Sequence, residues 1–319
     1  MQAQNLIAIQ ADILEKLQPE TDSTLFIASE ICKKGYKTFF YTPEKLSLVD
    51  NKLYTTGRYI HVEYTDFSSK YSVQTDEHEI CLNQAKAVLI RQNPPFNMDY
   101  LTSLYLLSLI TKEVLVLNSP FGLSLNPEKI LPLYYPQLIP PTMIVSSMYE
   151  GVADFIKEHN QVIVKPLYWF GGKHLELIEA NNIDNAKNII KKAILQHNYV
   201  ILQKFLPKVR DGDKRIFLIN GEPVAAIKRV PKAEGFLTNL TAGGTAVKTK
   251  ITDKEYEICS QLSKYLQAQG IFLAGVDLIA EKLIEVNVTS PTGLITVDRL
   301  YGVNLASKIA SYIDQKIQL

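Results

Sequence analysis

Gly275-Val276-Asp277-Leu278-Ile279-Ala280-Glu281-Lys282-Leu283-Ile284-Glu285-Val286-Asn287-Val288-Thr289 reads as two apolar strands around a short connection at residues 280–282. On the second strand Glu285 and Asn287 stand two residues apart among Leu283, Ile284, Val286 and Val288, so pleating puts both on one face. Acidic and amide oxygens on an otherwise apolar strand need a partner. A hydrated Mg²⁺ carrying polyphosphate suits them, because that ion takes hard oxygen ligands, few of them carboxylates, and completes its octahedron with phosphate and water. An edge strand with both side chains in solvent is the plainer alternative. Asp277 joins the pair in one register only: a three-residue or bulged connection sets it opposite Glu285, whereas a strict two-residue turn sets the two on opposite faces.

Upstream, Asn220-Gly221 between Arg215 to Ile219 and Pro223 to Ile227 is a strong hairpin signal. A two-residue turn there pairs Arg215 with Ala226 and Asp213 with Lys228. It gathers Lys214, Arg215, Lys228 and Arg229 at the open end, where they repel unless an anion, or Asp211 and Asp213, neutralises them. A solvated ribbon is the alternative. Ala233 to Thr245, with Gly235, Gly243 and Gly244, has no periodicity and reads as a mobile lid over about residues 231–246. Val162 to Pro166 is a strand carrying Lys165, and the Gly171-Gly172 pair after it lets backbone approach phosphate oxygens. Neither a Walker A pattern nor Gly-x-Gly-x-x-Gly is present, so phosphate binding needs another architecture. Asn126 is a good N-cap with Pro127 at the first helical position, which places Lys129 in a first turn, against the helix dipole but suited to an anionic ligand.

The first third alternates strands (Leu6 to Ile9, Thr38 to Tyr41, Ala87 to Ile90, Val114 to Leu117) with helices (Asp22 to Lys34, Asp99 to Lys112), which implies an α/β unit with a parallel sheet. Arg91 directly follows Ile90, where open sheets bind ligands, and is a candidate anion contact or else a solvated loop residue. Asn118 to Gly122 reads as the passage between an N-terminal domain, residues 1–120, and a second domain, residues 121–319.

With 34 Lys+Arg against 33 Asp+Glu the 319-residue chain carries a net charge of +1, which disfavours nonspecific nucleic-acid binding. The apolar stretch Leu101 to Ile110 is too short and too interrupted to span a membrane. Three separated cysteines, Cys32, Cys81 and Cys259, suggest reduced thiols, and the first residues lack the marks of a signal peptide, so the expected location is the cytoplasm.

Together, Leu89-Ile90-Arg91-Gln92-Asn93-Pro94-Pro95-Phe96, Val164-Lys165-Pro166-Leu167 with Gly171-Gly172, Asp211-Gly212-Asp213-Lys214-Arg215, Asn239-Leu240 with Ala242-Gly243-Gly244, and Asn287-Val288-Thr289-Ser290-Pro291-Thr292 resemble the ATP-grasp superfamily, and more closely the bacterial type of glutathione synthetase. The resemblance covers nearly the whole chain. It implies an N-terminal Rossmann-like domain followed by an ATP-grasp domain, whose two α+β subdomains clamp ATP. It implies a ligase that phosphorylates the cysteinyl carboxylate of γ-glutamylcysteine and passes the acyl phosphate to glycine, with no protein nucleophile. By the same resemblance Lys129, Lys165, Gly171 and Gly172 hold ATP phosphates, Gln203, Lys204, Phe205 and Leu206 form the adenine-side hinge, and Asp213 lies near the ribose. Lys214 and Arg215 flank the triphosphate, and Arg229 with Arg215 serves catalysis. Asp277, Glu285 and Asn287 bind Mg²⁺ or Mn²⁺. Arg91, Asn239 and Ser290 belong to the substrate side, and a homo-oligomer is implied.

The departures from the family pattern fall on the acceptor side. Leu237 stands where an arginine is usual, Asn93 and Asn97 where acidic residues are common, Tyr168-Trp169-Phe170 where an Asp-Gly-Met-like run is common, and Gly293 leads into Leu294-Ile295-Thr296. A ligase with a different acid or amine, with apolar walls near Arg91, Leu237 and Ile295, and a nucleotide-binding protein without turnover both remain open on this reading.

Overall fold

The computed structural model describes residues 5–172, 174–232, 235–240 and 243–318. Its first sheet contains β1 (Leu6–Gln10), β2 (Lys37–Tyr41), β3 (Leu46–Val49), β4 (Lys52–Thr65), β5 (Ser68–Val73), β6 (His78–Cys81), β7 (Ala87–Ile90) and β8 (Leu115–Leu117). The order is β3-β4-β2-β1-β7-β8, with β5 and β6 also paired to β4, and the contacts among β2, β1, β7 and β8 are parallel, as expected from the strand–helix alternation. Helix α1 (Ser23–Lys33) starts where Asp22 accepts from the amides of Thr24 and Leu25, both at 2.8 Å. Helix α2 (Met98–Ser108) is capped by Asn97.

The helix expected after Asn126 does not form. Instead α3 (Pro120–Leu125) begins at Ser119 and ends at Asn126, whose Nδ2 donates to the Gly122 carbonyl at 2.7 Å and whose Oδ1 accepts from the Tyr265 hydroxyl at 2.8 Å. Pro127 opens only a turn. A helix from residue 127 would place Pro132 in its second turn, where the ring meets the Glu128 carbonyl and no N–H is available. The freed Glu128 carbonyl accepts from the Val286 amide at 3.1 Å.

The second sheet, in order β11-β10-β12-β9, is antiparallel and built from β9 (Thr142–Val145), β10 (Gln161–Pro166), β11 (Glu176–Glu179) and β12 (Val200–Lys204). Helices α4 (Glu150–His159) and α5 (Ile183–His197) cover it over a core of its own that includes Val152, Ile156, Val164 and Ile190. The third sheet has the order β15-β14-β13-β16-β17, from β13 (Asp213–Ile219), β14 (Glu222–Val230), β15 (Thr245–Lys248), β16 (Leu273–Ile279) and β17 (Lys282–Asn287). Its core is continuous with the first sheet, since Ala8, Val88, Leu123, Val276 and Val286 belong to one apolar cluster. Helix α6 (Asp253–Ala268) carries a capping box of Thr252 and Glu255, and α7 (Leu294–Tyr301) leads to α8 (Leu305–Gln318), which packs back on α1.

Two bulges decide the site. Asn220-Gly221 makes a two-residue turn with Ile219 opposite Glu222, but Val224 bulges, so Arg215 faces Ile227 and Asp213 faces Arg229, one residue from the expected register. Pro223 has no N–H to give the ladder, which is where a bulge is tolerated. Between β16 and β17 the turn is also two residues, with Ala280 and Glu281 at φ 47° and 62°, and an extra residue at Ile284 then sets Asp277 opposite Glu285. The connection itself is thus the two-residue turn, and Asp277 meets Glu285 because the bulge falls at Ile284, inside the strand and beyond the residues 280–282 where it was expected.

Candidate active site

Direct cross-strand neighbours share a face, so the third sheet presents Asp213 and Arg215 on β13, Arg229 on β14, Asp277 on β16, and Glu285 and Asn287 on β17 together. Arg215 grips Asp277 with Nε to Oδ1 at 2.8 Å and Nη2 to Oδ2 at 2.7 Å. Arg229 donates Nη2 to Asp277 Oδ2 at 2.8 Å and Nε to Asp213 Oδ1 at 2.8 Å, and also bonds Asp213 Oδ2. Asn287 Nδ2 reaches Asp277 Oδ2 at 3.1 Å, which leaves the amide oxygen for another partner. All four charged groups of this network are buried. Burial pushes the Asp277 carboxyl up, but Arg215 and Arg229 prevail and hold it down at about 2. Burial lowers the Arg229 guanidinium, and Asp277 and Asp213 outweigh that, so it stays charged.

The opposing wall comes from the second sheet and the segments beside it. Lys165 on β10 is buried with Gln203 Oε1 at 3.0 Å, and burial brings its ammonium down to about 8. Gln203 is in turn fixed by Thr142 Oγ1 at 2.8 Å. Lys129 Nζ lies 3.4 Å from Glu285 Oε1 and bonds the Trp169 carbonyl. Gly171 and Gly172 both take positive φ, 70° and 72°, and a Cβ on Gly172 would come within 2.7 Å of Asn239 Oδ1.

Between these walls lies a cleft of about 890 Å³. It brings together Lys129, Lys165, Gly171, Gly172, the hinge Gln203, Lys204, Phe205 and Leu206, and Asp213, Arg229, Asn239, Asp277 and Glu285. A second cleft of about 960 Å³ is lined by Asn93, Arg215, Asn287, Thr289, Ser290 and Thr292 among others. Phe170, Gly171, Arg229 and Asn239 line both. The two chambers therefore meet at a buried guanidinium.

Two sequence candidates lie elsewhere. Lys214 alternates to the opposite face of β13 and bonds Glu255 Oε2 at 2.6 Å and the Lys250 carbonyl at 2.8 Å, away from the cleft. Arg91 is buried and donates to Thr24 Oγ1 at 3.2 Å and the Pro291 carbonyl at 3.0 Å, lining neither chamber. Burial brings its guanidinium down to about 10, and its observed bonds tie the loop after Asn287 to α1. Arg91, Leu237 and Ile295, where apolar walls would mark a less charged acceptor, do not line one chamber: Arg91 lines neither cleft, Leu237 faces the first and Ile295 is core. Of the expected lid, residues 233–234 and 241–242, including Ala242, lie outside the described residues, as does Lys173. Within the described part Thr238 Oγ1 donates to Asp213 Oδ2 at 2.8 Å. Sequence reading missed Thr238 and Glu128, and for Glu128 its place beside Lys129 in Asn126-Pro127-Glu128-Lys129 was the available signal.

A nucleotide-sized cleft between two antiparallel sheets, with lysines on one wall and carboxylates on the other, behind an N-terminal α/β unit, defines an ATP-grasp ligase. The fold is similar to that of solved structures: D-cycloserine synthetase DcsG (TM-score 0.66, 14% identity, 97% of this chain and 99% of that one) and the ATP-grasp ligase PsnB with a phosphomimetic variant of its minimal precursor, Mg and ADP (TM-score 0.63, 16% identity, 99% and 100%). Models of the prokaryotic glutathione synthetase N-terminal domain and ATP-grasp domain match residues 6–124 and 128–302. Proteins called glutathione synthetase align over almost their whole length: 37% identical in Mesorhizobium japonicum (97% of this chain, 98% of the relative), 36% in Agrobacterium fabrum (97% and 96%) and 32% in Synechocystis (97% and 99%). The chain belongs to the prokaryotic glutathione synthetase family. It is an ATP-dependent ligase that acts on small molecules. Among the described residues no helix is long and apolar enough to cross a membrane.

Proposed function

We propose that the chain joins γ-glutamylcysteine to glycine, releasing glutathione, ADP and phosphate. The observation that carries this reading is the meeting of the two clefts at Arg229. ATP fills the first with its adenine by Gln203 to Leu206 and its phosphates toward Lys129, Lys165 and the Gly171-Gly172 backbone. The acid enters the second, and a cysteinyl carboxylate oxygen attacks the γ-phosphorus as the bond to ADP breaks. Glycine's amine then attacks the acyl carbon, phosphate leaves and the amine's proton is lost. Arg229, fixed by two carboxylates, stabilises charge on the transferring group without reorganising, and Arg215 and Asn239 orient the acid beside it.

The donor set fits Mg²⁺. Among the described residues no cluster of three or more His, Cys, Asp or Glu forms an all-protein metal centre, whereas Glu285, the Asn287 amide oxygen and the ionised Asp277 share one face of the sheet, the two carboxylates on the first cleft and Asn287 on the second. Those three residues would hold Mg²⁺, or Mn²⁺ in its place, which neutralises phosphate charge when bound. The second cleft offers an anionic acid Arg215 and Arg229 with Asn93, Asn239, Ser290 and Thr292, beside an apolar side formed by Pro94, Phe170, Ile227 and Leu240. A cytoplasmic homo-oligomer completes the proposal, supported by the exposed apolar residues Met98, Tyr105, Leu109, Phe121 and Leu125 on α2, α3 and the turn after α2.

Phosphate release from Mg·ATP, with both substrates present and each omitted in turn, and mass detection of the tripeptide test this. Release needing both and yielding glutathione is expected. Release without tripeptide, or none with γ-glutamylcysteine, refutes the substrate assignment.

A further inference from the structure

The Glu128 carboxylate is buried beside the second cleft, and the catalytic scheme above makes no use of it. Its Oε1 accepts from the Val288 amide at 3.1 Å, the Thr289 amide at 3.1 Å and the Thr289 hydroxyl at 2.7 Å. Its backbone carbonyl accepts from the Val286 amide at 3.1 Å. One residue thus holds the chain on both sides of Asn287, immediately after Glu285, while the next residue in sequence is Lys129, 3.4 Å from Glu285. A buried carboxylate oxygen that takes two backbone amides and a hydroxyl is a rigid tie, since losing it leaves those buried donors without partners.

We propose that Glu128 is a positioning residue that sets the spacing between the Lys129 ammonium and the Glu285 and Asn287 oxygens, so that a nucleotide phosphate and its metal ion are received together. The turn at Pro127 serves this arrangement, because Pro132 has no N–H to offer the Glu128 carbonyl, which is left to the Val286 amide. The role asks only for a hydrogen-bond acceptor at Oε1, and no change in ionisation. A glutamine keeps that acceptor, whereas an alanine removes it.

The inference rests on the assignment of the metal to Glu285 and Asn287, and the experiment separates the two. Affinities for ADP alone and for ADP with Mg²⁺ are measured by calorimetry on the full-length wild type, Glu128→Ala, Glu128→Gln and Thr289→Val, with melting temperatures alongside. Wild type binds ADP more tightly with Mg²⁺. Glu128→Ala is expected to lose about 10-fold or more of that Mg²⁺ advantage, as residues supporting metal ligands do, while its affinity for ADP alone changes less than about twofold. Glu128→Gln retains most of the advantage, and Thr289→Val, which removes one of the bonds, falls between. A folded Glu128→Ala with the full advantage overturns the inference, as does Glu128→Gln behaving like a fully disabled variant. Should Glu128→Ala not fold, an undiminished advantage in Thr289→Val overturns it. No advantage in wild type overturns the metal assignment and this inference with it.

Discussion

Asp277→Asn is the most direct probe of the buried charge network. Asparagine keeps the volume and an acceptor but removes the charge that Arg215 and Arg229 share, so it imitates the protonated carboxyl. Holding that carboxyl at about 2 against an ordinary 3.8 is worth about 2–3 kcal/mol at neutral pH, from roughly 1.4 kcal/mol per pH unit. Unfolding 319 residues gains about 0.7 kcal/mol/K of entropy at the usual specific value, so the melting temperature should fall by about 4 °C. The sign of the pH dependence follows from the depressed value. The stabilisation is fully present above the unfolded value of 3.8 and is lost as pH falls toward about 2, shrinking to roughly half near pH 3. Thermal melts of wild type and variant at pH 7 and at several points down to pH 3 read this directly. A difference below about 1 °C at pH 7, or one that grows on acidification, refutes the ion-pair reasoning.

Lys165 loses its proton near pH 8 in the free protein because burial disfavours the ammonium, so ATP affinity should weaken as pH rises through that value, by up to about tenfold per unit above it. Titrations between pH 7 and 9.5 check this, and Lys165→Gln should bind weakly with a flat profile. Lys214→Ala should leave the KM for ATP within about twofold and lower stability by about 1–2 kcal/mol, measured by kinetics and denaturant melts, because its charge is spent on Glu255 on the far face. Leu237→Arg should shift the KM for ATP and leave that for γ-glutamylcysteine unchanged, since Leu237 lines the first cleft. Glu285→Ala or Asn287→Ala should abolish Mg²⁺-dependent turnover with little change in the melting temperature, as neither opens a core cavity.

Alternation and caps made much of this molecule legible before its structure. Apolar runs separated by capped helices suffice for the parallel strands β1, β2, β7 and β8, and Asp22 and Gly35 bracket α1 as capping chemistry requires. The site was legible as a set of side chains and less so as an arrangement. Asp213 faces Arg229 only because Val224 bulges beside Pro223, and a one-residue slip is invisible to a reading that counts from the turn. Lys214 and Arg215 are adjacent and look equivalent in sequence, yet pleating sends one to α6 and the other to Asp277. Arg91 illustrates a different limit: position after a parallel strand marks a region where ligands bind, but which side chains there are already spent on the protein depends on contacts such as Pro291, 200 positions away. Asn126-Pro127 failed as a helix start because Pro132, six residues on, vetoes the second turn.

The distribution of charge explains why the lysines and the arginines of one site do different work. Arg215 and Arg229 are matched against Asp277 and Asp213, so the third sheet buries a nearly neutral network whose members have no freedom to follow a ligand. Among the described residues Lys165 hydrogen-bonds an amide oxygen and no carboxylate, and Lys129 is shared between a carbonyl and Glu285 at 3.4 Å. A polyphosphate therefore improves the solvation of the lysines most, which makes them the groups that capture it. The arginine that both clefts touch is already held in place, and a rigid cation is what a transferring phosphoryl group needs, since stabilisation of the transition state is greatest where no reorientation accompanies the charge. Burial of Lys165 and pairing of Arg229 are thus two solutions to two tasks: an under-satisfied cation for binding, and an over-determined one for the transfer.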